Sequence, residues 1–117
     1  MSNNSQIAFA QLGRTIVVAA AASAPAGIQA PVYVNLNPQN AGQYRFINAG
    51  TTTVFLGTGS SAAEATANAV APVAGTPSSA IVLLPGAIEI LRFNIDTYFS
   101  GLSSAAATVY ITPGQGL

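Results

Sequence analysis

The chain has 117 residues, enough for one domain that buries roughly two thirds of its unfolded surface without metal or disulfide staples. Only six side chains carry a formal charge: Arg14, Arg45 and Arg92 balance Glu64, Glu89 and Asp96. Histidine, lysine, cysteine and tryptophan are all absent, which removes Ser-His-Asp and Cys-His arrangements, Schiff-base chemistry, serine-lysine pairs and transition-metal sites built on imidazole or thiolate.

A charged fraction of 5% is far below the roughly 25% of an ordinary soluble domain. A free monomer with that surface is poorly protected against association, so composition points to a subunit whose surface is covered by its own copies or by a partner. Zero net charge and the lack of any basic cluster argue against nucleic acid as a partner. Twenty-three alanines supply little burial each, so the core is expected to be thin, as in a two-layer sandwich.

Residues 1–13 read as an N-terminal arm, polar from Ser2 to Gln6 and then carrying Ile7, Phe9 and Leu12 without a clear period. Such arms are disordered or dock on a neighbour, and for docking those three are the candidate anchors on a neighbouring subunit. Residues 14–117 read as a single β domain. Thr15–Val18 begins it as a strand. The stretch from Arg14 through Ala24 also imitates a signal peptide, with Ala22-Ser23-Ala24 in the place of a cleavage site, but its flank lacks positive charge and the strand reading is preferred. No run reaches the ~18–20 apolar residues of a membrane helix, so no membrane span is expected.

Ile28–Leu36 alternates as a further strand, and 35–42 is a loop by its Asn, Pro and Gly. Gln43–Asn48 and Thr51–Leu56, joined through Ala49-Gly50, predict a hairpin. Tyr44 and Phe46 fall on one face; Arg45 and Ile47 fall on the other, with Arg45 directed to solvent or to an interface carboxylate. Gly57-Thr-Gly-Ser-Ser61 is expected to break the strand as a flexible loop. It lacks the lysine of a phosphate-binding loop. Ser61-x-x-Glu64 fits a capping box ahead of a short helix within Ala62–Ala71, although an alanine-rich loop fits the composition equally.

Four short strands complete the reading. Ala80–Leu84 meets Pro85-Gly86, suited to a type II turn; Ala87–Phe93, Tyr98–Ser100 and Ala106–Ile111 follow, and Pro113-Gly114 is expected to stop the last. About eight short strands with little helix predict an all-β fold, an antiparallel β-sandwich or jelly roll with an extended N-terminal arm.

No residue set commends itself as an active site. Glu89 and Asp96 are the nearest carboxylates in sequence, and Asn94-x-Asp96 resembles a weak calcium loop, yet solvated carboxylates and a capped turn explain them better. Tyr33, Tyr44, Tyr98 and Tyr110 are candidates for stacking on sugars, set against the ordinary role of strand tyrosines with buried rings. No catalytic residue, metal ligand or cofactor is expected.

From Gln43 onward the chain resembles small virion structural proteins of tailed bacteriophages. The resemblance rests on Tyr44-Arg-Phe-Ile-Asn-Ala-Gly50 leading into Thr53-Val-Phe-Leu56, a Ser/Ala/Thr tract, Leu84-Pro-Gly-Ala-Ile-Glu89, Tyr98-Phe-Ser100 and the terminal Ala107–Leu117. It implies a non-enzymatic subunit on the capsid surface of the virion, of the decoration or cement type, with the major capsid protein as partner and a homotrimer as the favoured oligomer. A tail, fibre-attachment or head–tail junction subunit is the alternative, and a secreted carbohydrate-binding module is a further one.

Overall fold

The computed structural model describes residues 9–30 and 42–115. The strands are β1 (Ala10–Gln11), β2 (Ile16–Ala20), β3 (Ile28–Gln29), β4 (Gln43–Asn48), β5 (Val54–Gly59), β6 (Ile81–Leu83), β7 (Ile88–Arg92), β8 (Tyr98–Ser103) and β9 (Ala107–Gln115), with one helix, α1 (Ala62–Asn68), between β5 and β6. They form two antiparallel sheets packed face to face. The first runs β2-β9-β4-β7, with β1 extending the β2 edge along β9; the second runs β3-β8-β5-β6.

The pairing is nested: β2 with β9, β3 with β8, β4 with β7 and β5 with β6. A long hairpin has been rolled so that its strands are shared between two layers, which is jelly-roll topology. It places the 49–53, 84–87 and 104–106 connections at one end of the sandwich, and 21–27 runs from that end along the second sheet to α1. The 60–80 and 93–97 connections lie at the other.

Rolling corrects one expectation from sequence. Gln43–Asn48 and Val54–Gly59 do not pair with each other; β4 lies in the first sheet and β5 in the second. The segment between them is a corner between layers, fastened by the buried Asn48. Its side-chain amide donates to the carbonyls of Leu83 (2.9 Å), Thr52 (3.0 Å) and Leu84 (3.2 Å), and its carbonyl oxygen accepts from the Gly50 amide (3.0 Å). Pro85-Gly86 makes the expected turn, with Gly86 at φ +78 and the Ala87 amide donating to the Leu84 carbonyl, and it too carries the chain from one sheet to the other.

Three other elements differ from expectation. The last strand does not stop at Pro113, because β9 continues through Gly114 to Gln115. Proline lacks a ladder donor, and the neighbouring edge is interrupted where that donor would point: Leu12–Thr15 bulge opposite Thr112 and Pro113, and the Leu12 amide donates to the Pro113 carbonyl at 2.9 Å. Ala10–Gln11, inside the segment read as an arm, pairs with β9. Of the strand expected over Ile28–Leu36, Ile28–Gln29 forms β3, and the part from Pro31 lies outside the described residues.

Alternation sets the core. Tyr44 and Phe46 point inward from β4, as their spacing implied, and meet Phe99 and Phe93 in an aromatic cluster; ring centroids lie 5.1 Å apart for Tyr44–Phe99 and 5.4 Å for Phe46–Phe99, both edge-on. Such pairs contribute about 0.5–1.5 kcal/mol each beyond area burial. Val18, Val54, Leu56, Leu83, Val109 and Ile111 fill the rest.

α1 lies on the outer face of the second sheet, over the end of β5. A side chain at Gly57 would collide with the Ala65 carbonyl and come within 2.8 Å of Ala69 Cα, and one at Gly59 would meet Glu64 at 2.7 Å. The Gly57–Gly59 stretch read as a flexible loop is therefore strand, with glycine required by the approach of the helix. Ser61 caps α1 by accepting from the Glu64 amide at 3.2 Å, and the Glu64 carboxylate accepts from the amide and hydroxyl of Ser60, one residue earlier than a standard capping box.

Candidate functional site: an apolar sheet face and a polar groove

Register brings one set of outward residues into line across the first sheet. Val17 lies opposite Tyr110, Tyr110 opposite Ile47 and Ile47 opposite Ile88, so one apolar residue from each of β2, β9, β4 and β7 forms a continuous row. Ile88 is 64% exposed, Val17 47% and Tyr110 39%. At ~4.8 Å per strand the row is about 14 Å wide. Single exposed apolar residues are ordinary; a row spanning a whole sheet is the kind of patch that marks an interaction surface.

Two residues along β4 from Ile47, and on the same face, is Arg45, opposite Thr112 on β9 and Ile90 on β7. It is half-buried, and the Phe9 ring covers its guanidinium at 5.4 Å from the ring centroid. The buried Nε has no hydrogen-bond partner. The sequence directs Arg45 to solvent or to an interface carboxylate; the structure gives it an aromatic cover and, among the described residues, no acceptor for its Nε.

The arm residues fall as follows. Ile7 lies outside the described residues. Phe9 packs over Gly114 and Arg45 of its own sheet, and Gly114 has no room for a side chain beneath the ring. Leu12 is half-buried and tied to Pro113 through its backbone. Phe9 and Leu12 thus engage their own chain.

The second sheet carries a shorter outward row, Val82 opposite Phe55 and Phe55 opposite Leu102, beside a shallow cavity of about 210 Å³ that includes Ala22. At the far end of the sandwich lies a larger groove of about 670 Å³, formed where α1 and the β7–β8 turn converge. Glu64, Asn68, Asp96 and Tyr98 line it. Its polar groups are largely committed to local bonds. Glu64 is occupied by Ser60, the Asn68 amide donates to the Thr58 carbonyl, and the Asn94 carbonyl accepts from both Tyr44 Oη and Thr97 Oγ1. The Ser60 bonds hold the Glu64 carboxyl below its ordinary range.

Asp96 holds φ +67 in the turn, and Gln29 donates to its backbone carbonyl at 3.1 Å. The fold separates the carboxylates weighed as a pair: Glu89 lies on β7 opposite Phe46 and does not line the groove, whereas Asp96 does. Among the described residues no group of three or more acidic, histidine or cysteine side chains gathers in a metal-binding cluster. Of the four tyrosines, Tyr44 is fully buried in the core, Tyr98 lines the groove, Tyr110 belongs to the apolar row and Tyr33 lies outside the described residues. Among the described residues no helix is long and apolar enough to cross a membrane.

No protein-family model, curated protein or solved structure matches the chain.

What sequence reasoning missed was the alignment of the row. Val17, Ile47, Ile88 and Tyr110 were each visible as strand residues, but their juxtaposition depends on pairing between strands up to 93 residues apart in the chain, as Val17 and Tyr110 are. The cover on Arg45 was hidden for the same reason.

Proposed function

We propose that this chain is a non-enzymatic structural subunit of a virion, a decoration or cement protein that binds the mature head of a tailed phage and stabilises it. The observation that carries the proposal is the outer face of the first sheet: an apolar row across four strands on a chain whose surface offers almost no charge. Such a face covers neighbouring protein without desolvating many charged groups, whose burial is costly unless they are paired. The sequence resemblance described above supplies the virion context. The jelly roll is compatible with it, and fold alone decides no function.

Stabilisation follows from mass action. A subunit that binds only the mature shell lowers the free energy of that state relative to opened or expanded forms. Its partners are the major capsid protein and further copies of itself, with a trimer favoured by the resemblance; an interlocked trimer also hides sheet edges, which the chain does not protect with lysine. No cofactor takes part.

The test is the copy number of this chain relative to the major capsid protein in purified particles, by quantitative mass spectrometry. Comparable abundance is expected. A handful of copies per particle transfers the chain to the tail or the head–tail junction, and absence from particles overturns the virion reading in favour of a secreted binding module.

A further inference from the structure

We infer that the outer face of the first sheet binds a second copy of this chain, with Arg45 of one copy paired to Glu89 of the other beside the row Val17, Tyr110, Ile47 and Ile88. This rests on the self-association within the reading above and is independent of the capsid.

The argument begins with an uncompensated charge. A guanidinium carries five N–H donors and stays protonated throughout the working pH range. That of Arg45 is half-buried, its buried Nε has no hydrogen-bond partner among the described residues, and the Phe9 ring beside it offers a π face and no carboxylate. A charge partly withdrawn from water and left unpaired is destabilising until an anion reaches it. A carboxylate is a natural complement for it, since charge-assisted bonds to guanidinium are the strong ones.

The chain holds three carboxylate side chains, and two lie at the far end of the sandwich from the row. Glu64 accepts from Ser60 there, and Asp96 is exposed in the turn bordering the groove. Glu89 is exposed on β7 and makes no hydrogen bond or ion pair among the described residues. It cannot serve Arg45 within its own chain, because strand alternation sends it to the opposite face: Arg45 lies opposite Ile90, and Glu89 opposite Phe46. On the outermost strand of the sheet among the described residues, however, it stands next to Ile88, the most exposed member of the row.

A second copy that covers the row thus meets an unpaired cation on the face and presents an unpaired anion from its edge. The complementarity is satisfied by a head-to-tail contact, the β7 edge of one copy set against the outer face of the next, which closes as a ring. Closure at three is the arrangement favoured above.

The experiment is a charge exchange read by sedimentation equilibrium on the purified full chain. The unaltered protein is expected to self-associate. Arg45→Glu and Glu89→Arg should each weaken association by about tenfold or more, since each sets like charges against one another. The double variant Arg45→Glu/Glu89→Arg should regain most of the loss. Circular dichroism melts confirm folding, and Arg45→Gln with Glu89→Gln provide milder versions should a swap unfold the chain.

A monomeric unaltered protein, or a folded double variant as weak as the singles, overturns the inference. Monomers that bind shells through Arg45, with no rescue by Glu89→Arg, assign the site to a carboxylate of the capsid protein instead. Particle copy number is measured separately, so failure of this contact and failure of the virion reading are distinguishable.

Discussion

The side-chain amide of Asn48 reaches the backbone carbonyl of Leu83 at 2.9 Å across the two layers of the sandwich, and the Asn48 side chain is fully buried. The same side chain also serves Thr52, Leu84 and Gly50, so one amide fastens the β4–β5 corner to the β6–β7 turn. In a rolled hairpin these are the places where the chain changes sheets, and the side-chain bonds add to the backbone bonds from the Asn48 amide to the Ala87 carbonyl and from the Gly86 amide to the Asn48 carbonyl.

Replacing Asn48 should therefore cost much more than one hydrogen bond. Asn48→Ala leaves several buried backbone groups without partners, each costing ~1–3 kcal/mol. A loss of about 3 kcal/mol is expected, seen as a lower urea midpoint with an unchanged slope. Asn48→Asp should be at least as harmful, because it turns an acceptor toward three carbonyl oxygens. A midpoint within experimental error of the parent protein would show that the corner is held by something else.

Gly57 and Gly86 offer a controlled comparison. A Cβ at Gly57 runs into the backbone of α1, whereas one at Gly86 meets nothing within 4 Å and is opposed only by the turn's φ of +78. Gly86→Ala should cost about 1 kcal/mol of backbone strain. Gly57→Ala should cost more, about 2–3 kcal/mol, because rigid backbone must move, and protease cleavage within 62–80 should accelerate for this variant alone. Equal sensitivity in both variants would remove the argument that glycine is there to admit the helix.

How far these features could be read from sequence depends on whether they are local. Alternation in Gln43–Asn48 states which residues face inward, and Tyr44 and Phe46 do; it does not state which strand lies alongside. A hairpin and a corner between layers impose the same period, and the choice is made by Asn48 reaching Leu83, thirty-five residues away. The helix cap was legible because Ser61 and Glu64 are three apart, although the carboxylate chose the Ser60 amide. Pro113-Gly114 looked like a stop because the gap opposite it, over Leu12–Thr15, lies at the other end of the chain. The candidate face was hidden for that reason as well: its row comes from four strands, and the aromatic cover over Arg45 comes from Phe9.

Glu64 makes the acid limb testable. Its carboxyl is held below the ordinary 4.5 by the Ser60 amide first and the Ser60 hydroxyl second. A lowered folded value means that its contribution is present above the unfolded value and is lost as pH falls through the folded one. Glu64→Gln should therefore lower stability near neutrality, with the difference from the parent closing below about pH 4. Thermal melts across that range provide the measurement. A difference that stays constant with pH would show that the Ser60 contact does not depend on ionisation.

Tyr44 governs the alkaline limb. Burial, its largest influence, raises the phenol above its ordinary 10.0, partly offset by backbone hydrogen bonding near Thr97 and Asp96. The raised folded value means that the neutral phenol is favoured by the fold. The corresponding stability is intact below about pH 10, where the unfolded chain's tyrosine ionises, and is lost as pH rises through the folded value. With no lysine, cysteine or histidine side chain to titrate in between, stability should be nearly level from about pH 6 to 9 and then fall. Tyr44→Phe loses the bond to the Asn94 carbonyl, about 1 kcal/mol at neutral pH, but removes this source of alkaline loss. Its stability profile should consequently approach or cross that of the parent above pH 10. Profiles that fall in parallel would place the titrating group elsewhere.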